Sequence, residues 1–363
     1  MAGAKDLIFV KGNEAIAMGA LDAGCRCFFG YPITPQNDIP EYMSKAIIDA
    51  GGEFVQAESE VAAANMLLGA GACGVRAMTS SSSPGMSLKQ EAISYMAGSE
   101  IPAVIVNMNR GGPGLGDIGP SQGDYFQSTR GGGHGDYRLL VLAPSSAQEA
   151  YDMTHKAFDL AFAYRSPVLI LGDAIIGQMK EPIRRRELTL AAPDEGAAWR
   201  LEGTKADLPA GAPPRAHRII KSLYLMDGEL AGQNKMLQAK YEQWKKLVEF
   251  ETFEVKDADL VVVAYGSIGR IAKNAVRALR KKGKKVGLFR PKTLYPFPEK
   301  ALARLAKEGK KFLTIEHNLG QMVEDVRLSV RHHADSDLFC VYPGNMPSPD
   351  DFEAPILRAL GRK

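Results

Sequence analysis

Apolar runs alternate with helix-length amphipathic segments through the first half of the chain. The runs fall at residues 26–29, 53–56, 75–79, 102–106, 139–142 and 167–171. Most of them are apolar at nearly every position, which is typical of strands that are buried on both faces, and strands that alternate with helices form parallel sheets. The pattern predicts an α/β unit whose parallel sheet is covered by helices on both faces.

The alternation stops after Glu181 and returns at Leu260. Between them lie a polar, proline- and alanine-containing stretch up to about residue 214 and a predicted helix over about residues 229–249, which together suit a connector. Buried-strand patterns then recur at residues 260–265, 285–290, 312–315 and 338–341, and Ser267 is placed to cap the helix after the first of them. We predict two parallel-sheet α/β units: residues 1–182, a connector at 183–255, and residues 256–363.

The composition indicates an ordinary folded protein and argues against a membrane, secreted or nucleic-acid-binding one. The 363 residues are 45% hydrophobic, enough for two cores, and the net charge of +3 sets up no strong field toward nucleic acid or a membrane surface. The sequence shows no secretory signal and no apolar stretch of the roughly 18–20 residues that cross a bilayer. The four cysteines suggest neither a disulfide framework nor the close spacing of an iron–sulfur site. We expect a cytoplasmic protein without a cluster of its own.

Glu58 lies between the predicted strand at residues 53–56 and an alanine- and glycine-rich helix at 61–74. A carboxylate at a helix N-terminus stabilises the helix dipole, which is a sufficient structural explanation. However, ligands bind at the carboxyl ends of strands in α/β sheets, and the small residues behind Glu58 allow close packing. We therefore expect Glu58 to be buried and to pair with a nitrogen of a ligand.

Two further turns follow predicted strands. In residues 30–40, GYPITPQNDIP, prolines end the strand and stiffen its exit. Residues 79–85 carry five hydroxyl groups before the next helix, whereas helix capping uses one of them. Both turns are candidates for ligand contact.

The longest predicted loop covers residues 110–136 and is rich in glycine. Loops of this length in compact domains are usually functional or disordered. Arg110 starts the loop at the same sheet edge, where its guanidinium could hold a carboxylate in bidentate fashion. His134, which lies between two glycines, is more simply explained as a loop residue than as a general acid. The glycine spacing at residues 114–119 resembles a dinucleotide motif but lacks the strand and helix that such a motif requires.

Taken together, YPITP at residues 31–35, Gln56-Ala-Glu58, the serine turn and Arg110 closely resemble the alpha subunit of 2-oxoacid:ferredoxin oxidoreductases over nearly the whole chain. The resemblance implies a pyrimidine-binding thiamine domain followed by a transketolase C-terminal-like domain. It also implies oxidative decarboxylation of a 2-oxoacid with CoA to an acyl-CoA, carbon dioxide and reduced ferredoxin.

The resemblance also implies residue roles. Glu58 would hydrogen-bond the thiamine pyrimidine ring and favour the imino form that deprotonates the thiazolium ring, Thr34 would face the thiazolium and the substrate carbonyl, and Arg110 would hold the substrate carboxylate. Further cofactor contacts would come from the two turns, at Tyr31, Pro32, Ile33, Ser82 and Ser83. No metal ligand is expected on this chain.

The resemblance implies partner chains. Thiamine enzymes bind the diphosphate through Mg2+ with a G-D-G motif and a later Asn-Asn pair, whereas Gly172-Asp-Ala174 lacks the second glycine and the pair. A beta subunit would therefore carry the diphosphate-binding domain and Mg2+, and [4Fe-4S] clusters would lie on partner subunits, including a ferredoxin-like gamma or delta subunit. Ferredoxin would accept the electrons.

Several alternatives remain at this point. Short motifs at residues 222–225, 238–241 and 263–266 resemble the branched-chain (ketoisovalerate) type, and the 2-oxoglutarate type is very similar. Other possibilities are the beta chain of an NAD-linked 2-oxoacid dehydrogenase and a non-catalytic scaffold. Residues 316–321, EHNLGQ, resemble the family's interface motif, and we expect a structural role there, with Asn318 capping a helix.

Overall fold

The computed structural model describes residues 7–186, 199–201 and 218–361. Up to residue 186 the strands are β1 (Leu7–Lys11), β2 (Cys27–Gly30), β3 (Glu53–Gln56), β4 (Ala77–Ser81), β5 (Ala103–Asn109), β6 (Leu140–Leu142), β7 (Pro167–Asp173) and β8 (Lys180–Arg184). The helices in this part are α1 (Gly12–Asp22), α2 (Asp38–Asp49), α3 (Glu60–Ala72), α4 (Ser83–Gly98), α5 (Tyr125–Thr129), α6 (Ala147–Tyr164) and α7 (Ala174–Gln178).

The remaining elements begin after the described part of the connector. They are α8 (Glu229–Trp244), a 3-10 turn (Lys245–Leu247), β9 (Phe250–Phe253), β10 (Leu260–Val263), α9 (Gly266–Lys281), β11 (Val286–Pro291), β12 (Thr293–Tyr295), α10 (Glu299–Lys307), β13 (Lys311–Glu316), α11 (Met322–Val330), β14 (Ser336–Cys340) and α12 (Pro349–Gly361). None of the helices in the described part of the chain combines the length and the apolar character needed to cross a bilayer.

Two mostly parallel sheets form the fold, so the predicted fold class is confirmed. The first sheet has the strand order β12-β6-β7-β5-β4-β2-β3, and the second has the order β14-β13-β10-β11-β9. The central strands β5, β7 and β10 are buried at every position, as expected for apolar runs covered on both faces. Each predicted strand is present, with its ends shifted by a few residues.

The strands that the sequence pattern did not predict are the antiparallel ones. β1 pairs with β8 in a separate two-stranded sheet, and β9 lies antiparallel to β11 at the edge of the second sheet. β12, from the second half of the chain, pairs with β6 of the first sheet. A hydrophobic cluster includes side chains of both sheets, so the two units share part of their core.

The predicted helix at residues 229–249 exists as the shorter α8 and its 3-10 turn. It lies on the first unit, where Gln238 Nε2 donates to Asp136 O at 3.0 Å and Lys240 Nζ donates to Glu100 at 3.0 Å. Much of the polar stretch before it falls at residues 187–198 and 202–217, outside the described residues. The unit boundaries at 182 and 255 stay a prediction.

The prediction that Ser267 caps α9 is wrong. Its hydroxyl donates to the buried Asp173 at the end of β7, and the residue before α9, Tyr265, makes no side-chain cap. Ser267 is buried where the two units meet, and its hydroxyl bonds to a carboxylate of the first unit.

Candidate active site

Strands β2, β3, β4 and β5 are parallel neighbours, so their carboxyl ends lie along one sheet edge. In their register, Gly30 pairs with Gln56 and Ser81 pairs with Asn107. The turns that sequence analysis selected all begin at this edge. The topology therefore brings Thr34, Glu58, the serine turn and Arg110 to the same side of the sheet.

The turn at residues 31–35 is held in place by hydrogen bonds from amide groups of neighbouring residues. The buried Gln36 donates its backbone N–H to Ile33 O at 3.2 Å, and its side-chain oxygen accepts a hydrogen bond from Ser80. Pro35 O accepts from Asn13 Nδ2 at 2.9 Å and from Gln178 Nε2 at 3.1 Å. These contacts leave Tyr31 and Pro32 exposed and hold Thr34 half-buried at the surface of the turn.

Arg110 joins the turn to the long loop. Its side chain is 6% exposed, and its Nη1 donates to Thr34 O at 3.0 Å while Nη2 donates to Leu115 O at 3.1 Å. Its Nε is buried without a hydrogen-bond partner among the described residues. The structure thus brings Thr34 and Arg110 into direct contact, with part of the guanidinium still available for an acceptor.

The two predicted serines differ in their environment. Ser83 Oγ donates to Asp124 Oδ2 at 2.6 Å and accepts from the Arg110 backbone N–H at 3.0 Å. Ser82 is fully buried, and its hydroxyl has no partner among the described residues. Neither serine caps α4 with its side chain, although Pro84 lies in the first turn as expected.

The expectation that Glu58 is buried is wrong for this chain. Glu58 is exposed, because it lies in the short link between β3, which is the edge strand of the sheet, and α3. Ser59 caps α3 by accepting from the Ala62 N–H at 3.2 Å, and the acid that turns inward is Glu60, which is 7% exposed. The carboxylate of Glu58 therefore faces outward at the candidate site.

Sequence reasoning also missed Lys89, a fully buried lysine on α4. Its Nζ donates to Thr79 Oγ1 at 3.1 Å and to Glu60 O at 3.3 Å, and no carboxylate pairs with it within the described ranges. Burial lowers the pKa of Lys89 to about 8, against the opposing charge of Glu60. Its helical spacing from the buried Met86 and Ile93 could have identified it as an inward-facing position.

Several polar atoms at the strand ends are buried without partners in the described part of the chain. They belong to a set that we call the strand-end cluster: Ser81, Ser82, Asn107, Asn109 and Arg110. Buried polar groups are almost always satisfied in native proteins, and each exception calls for an explanation such as a ligand or bound water. The cluster marks the part of the edge that suits a polar ligand.

The middle of the long loop packs against the second unit, and we call residues 121–126 the docked segment. Gln122 Nε2 donates to Tyr265 O at 3.0 Å, and Gln122 Oε1 accepts from the His317 N–H at 3.1 Å. Gln321 Oε1 accepts from the Phe126 N–H at 2.8 Å. The loop thus contains a fixed polar interface and the short helix α5, neither of which was predicted.

The predicted structural role of residues 316–321 is partly corrected. Asn318 does not cap α11; it donates to Gln122 O at 2.8 Å and accepts from the Gly320 N–H at 2.8 Å. Glu316 supplies the cap, because its carboxylate accepts from the Met322 N–H at 2.8 Å and the Val323 N–H at 3.0 Å. Burial raises the pKa of Glu316, while those hydrogen bonds act in the opposite direction.

His134 lies exposed with its ring edge against Tyr95, at a centroid distance of 5.9 Å. No nucleophile contacts its imidazole in the hydrogen bonds of the described residues, which favours the interpretation as a loop residue. The described residues contain no group of three or more histidine, cysteine or acidic side chains placed to hold a metal ion.

Comparisons with known proteins give a consistent result. Residues 18–230 match the family model described as pyruvate flavodoxin/ferredoxin oxidoreductase, thiamine diphosphate-binding, and residues 258–352 match pyruvate:ferredoxin oxidoreductase core domain II. The chain is 49% identical over 322 residues to the ketoisovalerate oxidoreductase subunit VorB of Methanothermobacter marburgensis, covering 88% of this chain and 89% of that protein. It is 36% identical over 382 residues to the 2-oxoglutarate synthase subunit KorA of Methanothermobacter thermautotrophicus, covering 96% and 98%.

Among solved structures, the chain resembles the 2-oxoglutarate:ferredoxin oxidoreductase of Magnetococcus marinus with 2-oxoglutarate, coenzyme A and succinyl-CoA bound. The TM-score is 0.84 at 24% sequence identity, over 98% of this chain. This chain spans 65% of the length of that one. At this identity the likeness supports the fold.

Proposed function

The chain belongs to the family of 2-oxoacid:ferredoxin oxidoreductase subunits, and from that premise we propose that it is the alpha-type catalytic subunit of a branched-chain 2-oxoacid:ferredoxin oxidoreductase. The reaction is the oxidative decarboxylation of 3-methyl-2-oxobutanoate or a similar 2-oxoacid with CoA to an acyl-CoA, carbon dioxide and reduced ferredoxin. The observation that carries the proposal is the 3.0 Å hydrogen bond from Arg110 to Thr34 O, which joins two of the predicted site residues directly.

Arg110 suits the role of carboxylate holder. Its backbone and two of its side-chain donors are fixed by Ser83, Thr34 and Leu115, while Nε remains without a partner. A guanidinium held in this way loses little further freedom when it binds an anion. In this proposal Arg110 orients the 2-oxoacid by its carboxylate, and the hydroxyl of Thr34 contacts the substrate carbonyl.

The residues at the sheet edge fit thiamine as a ligand. The exposed Glu58 offers a carboxylate for the pyrimidine ring, and the unpartnered hydroxyl of Ser82 together with the turn at residues 31–33 offers further contacts. Bound thiamine diphosphate supplies the nucleophilic carbon and the electron sink for decarboxylation. Glu58 holds the proton at the pyrimidine nitrogen through a hydrogen bond. This bond becomes stronger when water is excluded from the carboxylate.

A partner chain would exclude water from the Glu58 carboxylate. The exposed face of α3 is uncharged, since no charged residue occurs between Glu60 and Arg76. Val61 is 41% exposed and Met66 is 37% exposed on this face. An exposed helix face without charge is typical of an interface. We propose that a beta subunit covers it and contributes the diphosphate and Mg2+ site, while [4Fe-4S] clusters lie on that subunit or on a ferredoxin-like third subunit.

The partner proposal can be tested by replacing one residue on that face. Met66→Arg should weaken co-purification with the beta subunit by about tenfold or more, because it buries a charge without a counter-ion in the interface. The matched control is Met236→Arg on α8, where the side chain is 58% exposed. Equal co-purification of both variants with the beta subunit would contradict the assigned surface.

The substrate proposal follows the more similar relative, a ketoisovalerate oxidoreductase subunit at 49% identity. The second candidate is 2-oxoglutarate, which the name of the 36% identical relative specifies. The two substrates differ in the end of the side chain, which is methyl-branched in one and a carboxylate in the other. A comparison of kcat/KM for the two acids therefore separates them.

The experiment that tests the function uses the assembled enzyme. Co-expression with the beta subunit and the cluster-bearing subunit should give CoA- and 2-oxoacid-dependent reduction of ferredoxin or a viologen dye, with the higher kcat/KM for 3-methyl-2-oxobutanoate. The chain by itself should be colourless and inactive. Acyl transfer to a lipoyl domain in place of dye reduction would favour the NAD-linked dehydrogenase, and an active single chain would refute the proposal.

A further inference from the structure

Asp124 lies at the end of a continuous series of hydrogen bonds that begins at Arg110. The Arg110 backbone N–H donates to Ser83 Oγ at 3.0 Å, and Ser83 Oγ in turn donates to Asp124 Oδ2 at 2.6 Å. Asn107 Nδ2 donates to the same carboxylate oxygen at 2.8 Å. One oxygen of Asp124 therefore orients a serine and an asparagine on two neighbouring elements.

Ser83 Oγ also lies 3.3 Å from Asn109 Oδ1 and 3.2 Å from Arg110 O, but the hydroxyl has one proton and the Asp124 carboxylate at 2.6 Å is its nearest acceptor. With that proton directed to Asp124, a lone pair of Ser83 is directed to the Arg110 N–H, which fixes the start of the long loop. Arg110 then reaches Thr34 O with its guanidinium. Burial raises the pKa of Asp124, and the hydrogen bonds from Ser83 and Asn107 counteract that effect. Keeping a half-buried carboxylate here is costly, so a purely structural residue is not the simplest explanation.

The position of Asp124 is set by the second unit. It lies within the docked segment, between Gly123, whose carbonyl accepts from Gln321 Nε2 at 2.7 Å, and Tyr125, whose hydroxyl donates to Asp325 at 2.6 Å. The residues on both sides are thus held by contacts to the turn at residues 316–321 and to α11. A carboxylate anchored in this way has little freedom to follow a movement of Arg110.

We propose that Asp124 is a positioning residue, which holds Arg110 in place for the 2-oxoacid through Ser83 and so connects the second unit to the substrate site. The inference rests on the proposed function, since it takes Arg110 as the group that binds the substrate carboxylate. Asp124 itself does not contact substrate in this account. It acts through hydrogen bonds to Ser83 and Asn107, and the acceptor oxygen rather than the charge is what matters.

The test uses the assembled enzyme with both 2-oxoacids. Asp124→Ala should raise KM for the preferred 2-oxoacid by about tenfold and change kcat by less than about threefold, because small displacements of a substrate-binding group are costly. Asp124→Asn keeps an acceptor oxygen, so it should bring KM back to within about threefold of the parent value. Asp136→Ala, an exposed acid in the same loop, is the matched control and should leave both constants unchanged.

A double-mutant cycle shows whether Asp124 acts through Arg110. In an Arg110→Lys background, Asp124→Ala should raise KM by less than about twofold more, because coupled residues are not additive. Ser83→Ala breaks the same series from the other side and should reproduce the KM effect if Asp124→Ala fails to fold or assemble. Additive effects, or an Asp124→Asn variant as impaired as Asp124→Ala, would overturn the inference. A parent complex without 2-oxoacid activity would refute the proposed function instead.

Discussion

The docked segment and the strand-end cluster are in contact through the hydrogen bond from Asn107 to Asp124, yet they differ in how completely their polar groups are paired. In the docked segment, Gln122 pairs its side-chain amide and both of its backbone polar groups with the second unit. In the strand-end cluster, each residue keeps a buried polar atom without a partner among the described residues. Complete pairing is typical of a structural interface, and incomplete pairing indicates a place for a ligand.

An unpaired buried polar group costs free energy, which is why incomplete pairing indicates a ligand. A paired hydrogen bond contributes about 1 kcal/mol net, whereas leaving a buried donor or acceptor alone costs about 1–3 kcal/mol. A chain that tolerates such a cost in several places at one sheet edge gains the ability to bind a polar ligand there. Substitutions in the two regions should therefore affect different properties: stability in the docked segment and ligand affinity in the strand-end cluster.

The largest effect on stability should come from Gln122→Ala. The variant leaves the His317 N–H buried without a partner, and it removes one of the two donors to Tyr265 O, which keeps the Gly269 N–H. The free energy of unfolding should therefore fall by about 3–4 kcal/mol. Urea denaturation of the chain measures this change. The control is Gln238→Ala, which removes one exposed hydrogen bond to Asp136 O and should cost less than about 1 kcal/mol. Equal losses in the two variants would contradict the importance of the docked segment.

The next largest effect on stability should come from Glu149, which links α6 to β11 through Arg290. Burial by itself would raise the pKa of Glu149, but hydrogen bonds and charges from Arg290 and Lys292 hold it at about 2. A depressed carboxyl pKa stabilises the fold above pH 4.5, and this contribution is lost as the pH falls toward 2. Glu149→Gln should cost about 3 kcal/mol at pH 7. Melting curves of parent and variant should converge between pH 4.5 and 2, and a constant difference would refute the assignment.

Asp173 also lies at the junction of the units, and its contribution to stability should change with pH in the opposite direction to that of Glu149. Burial raises its pKa to about 6, against the hydrogen bonds from Ser267 and the Ile176 N–H. A raised carboxyl pKa makes ionisation costly, so the stability contributed by the protonated form is lost as the pH rises from 3.8 through 6. Asp173→Asn keeps an acceptor and should be more stable than the parent by on the order of 1 kcal/mol at pH 7. A lower melting temperature for the variant at pH 7 would contradict this.

The smallest effect on stability should come from Ser82→Ala. Its hydroxyl has no partner among the described residues, so the free energy of unfolding should change by less than about 0.5 kcal/mol. The affinity of the assembled enzyme for thiamine diphosphate should nevertheless fall. Ser80, buried two residues earlier, donates to the buried Gln36 side-chain oxygen, and Ser80→Ala should cost about 2 kcal/mol because it leaves that acceptor unpaired. If Ser82→Ala destabilised the chain as much as Ser80→Ala, the distinction between the two regions would fail.

Much of the fold could be predicted because its central strands are continuous apolar runs. β5, β7 and β10 follow directly from the sequence pattern, since burial on both faces requires apolar side chains at nearly every position. β12 could not be predicted in the same way. It has three residues, and its partner β6 lies about 150 positions away, so nothing in its local sequence specifies the pairing.

The candidate site was predictable to the extent that it depends on topology. Parallel strands place Thr34 and Arg110 at one edge, and the structure brings them into contact. The burial of Glu58 was predicted wrongly, because burial depends on what lies beyond an edge strand, and the sequence of the strand carries no information about that. Gln122 and Asp124 were missed because a glycine-rich loop has no periodicity that would separate buried from exposed residues.

The most direct test of the central claim is the turnover of the assembled enzyme with Glu58→Gln. If Glu58 acts on thiamine, kcat for 2-oxoacid-dependent dye reduction should fall by about 100-fold or more, while assembly and melting temperature stay unchanged because the side chain is exposed in this chain. Glu53→Gln, an exposed acid on β3, is the control and should retain full turnover. Unchanged turnover in Glu58→Gln would contradict a catalytic role for this chain and favour a scaffold.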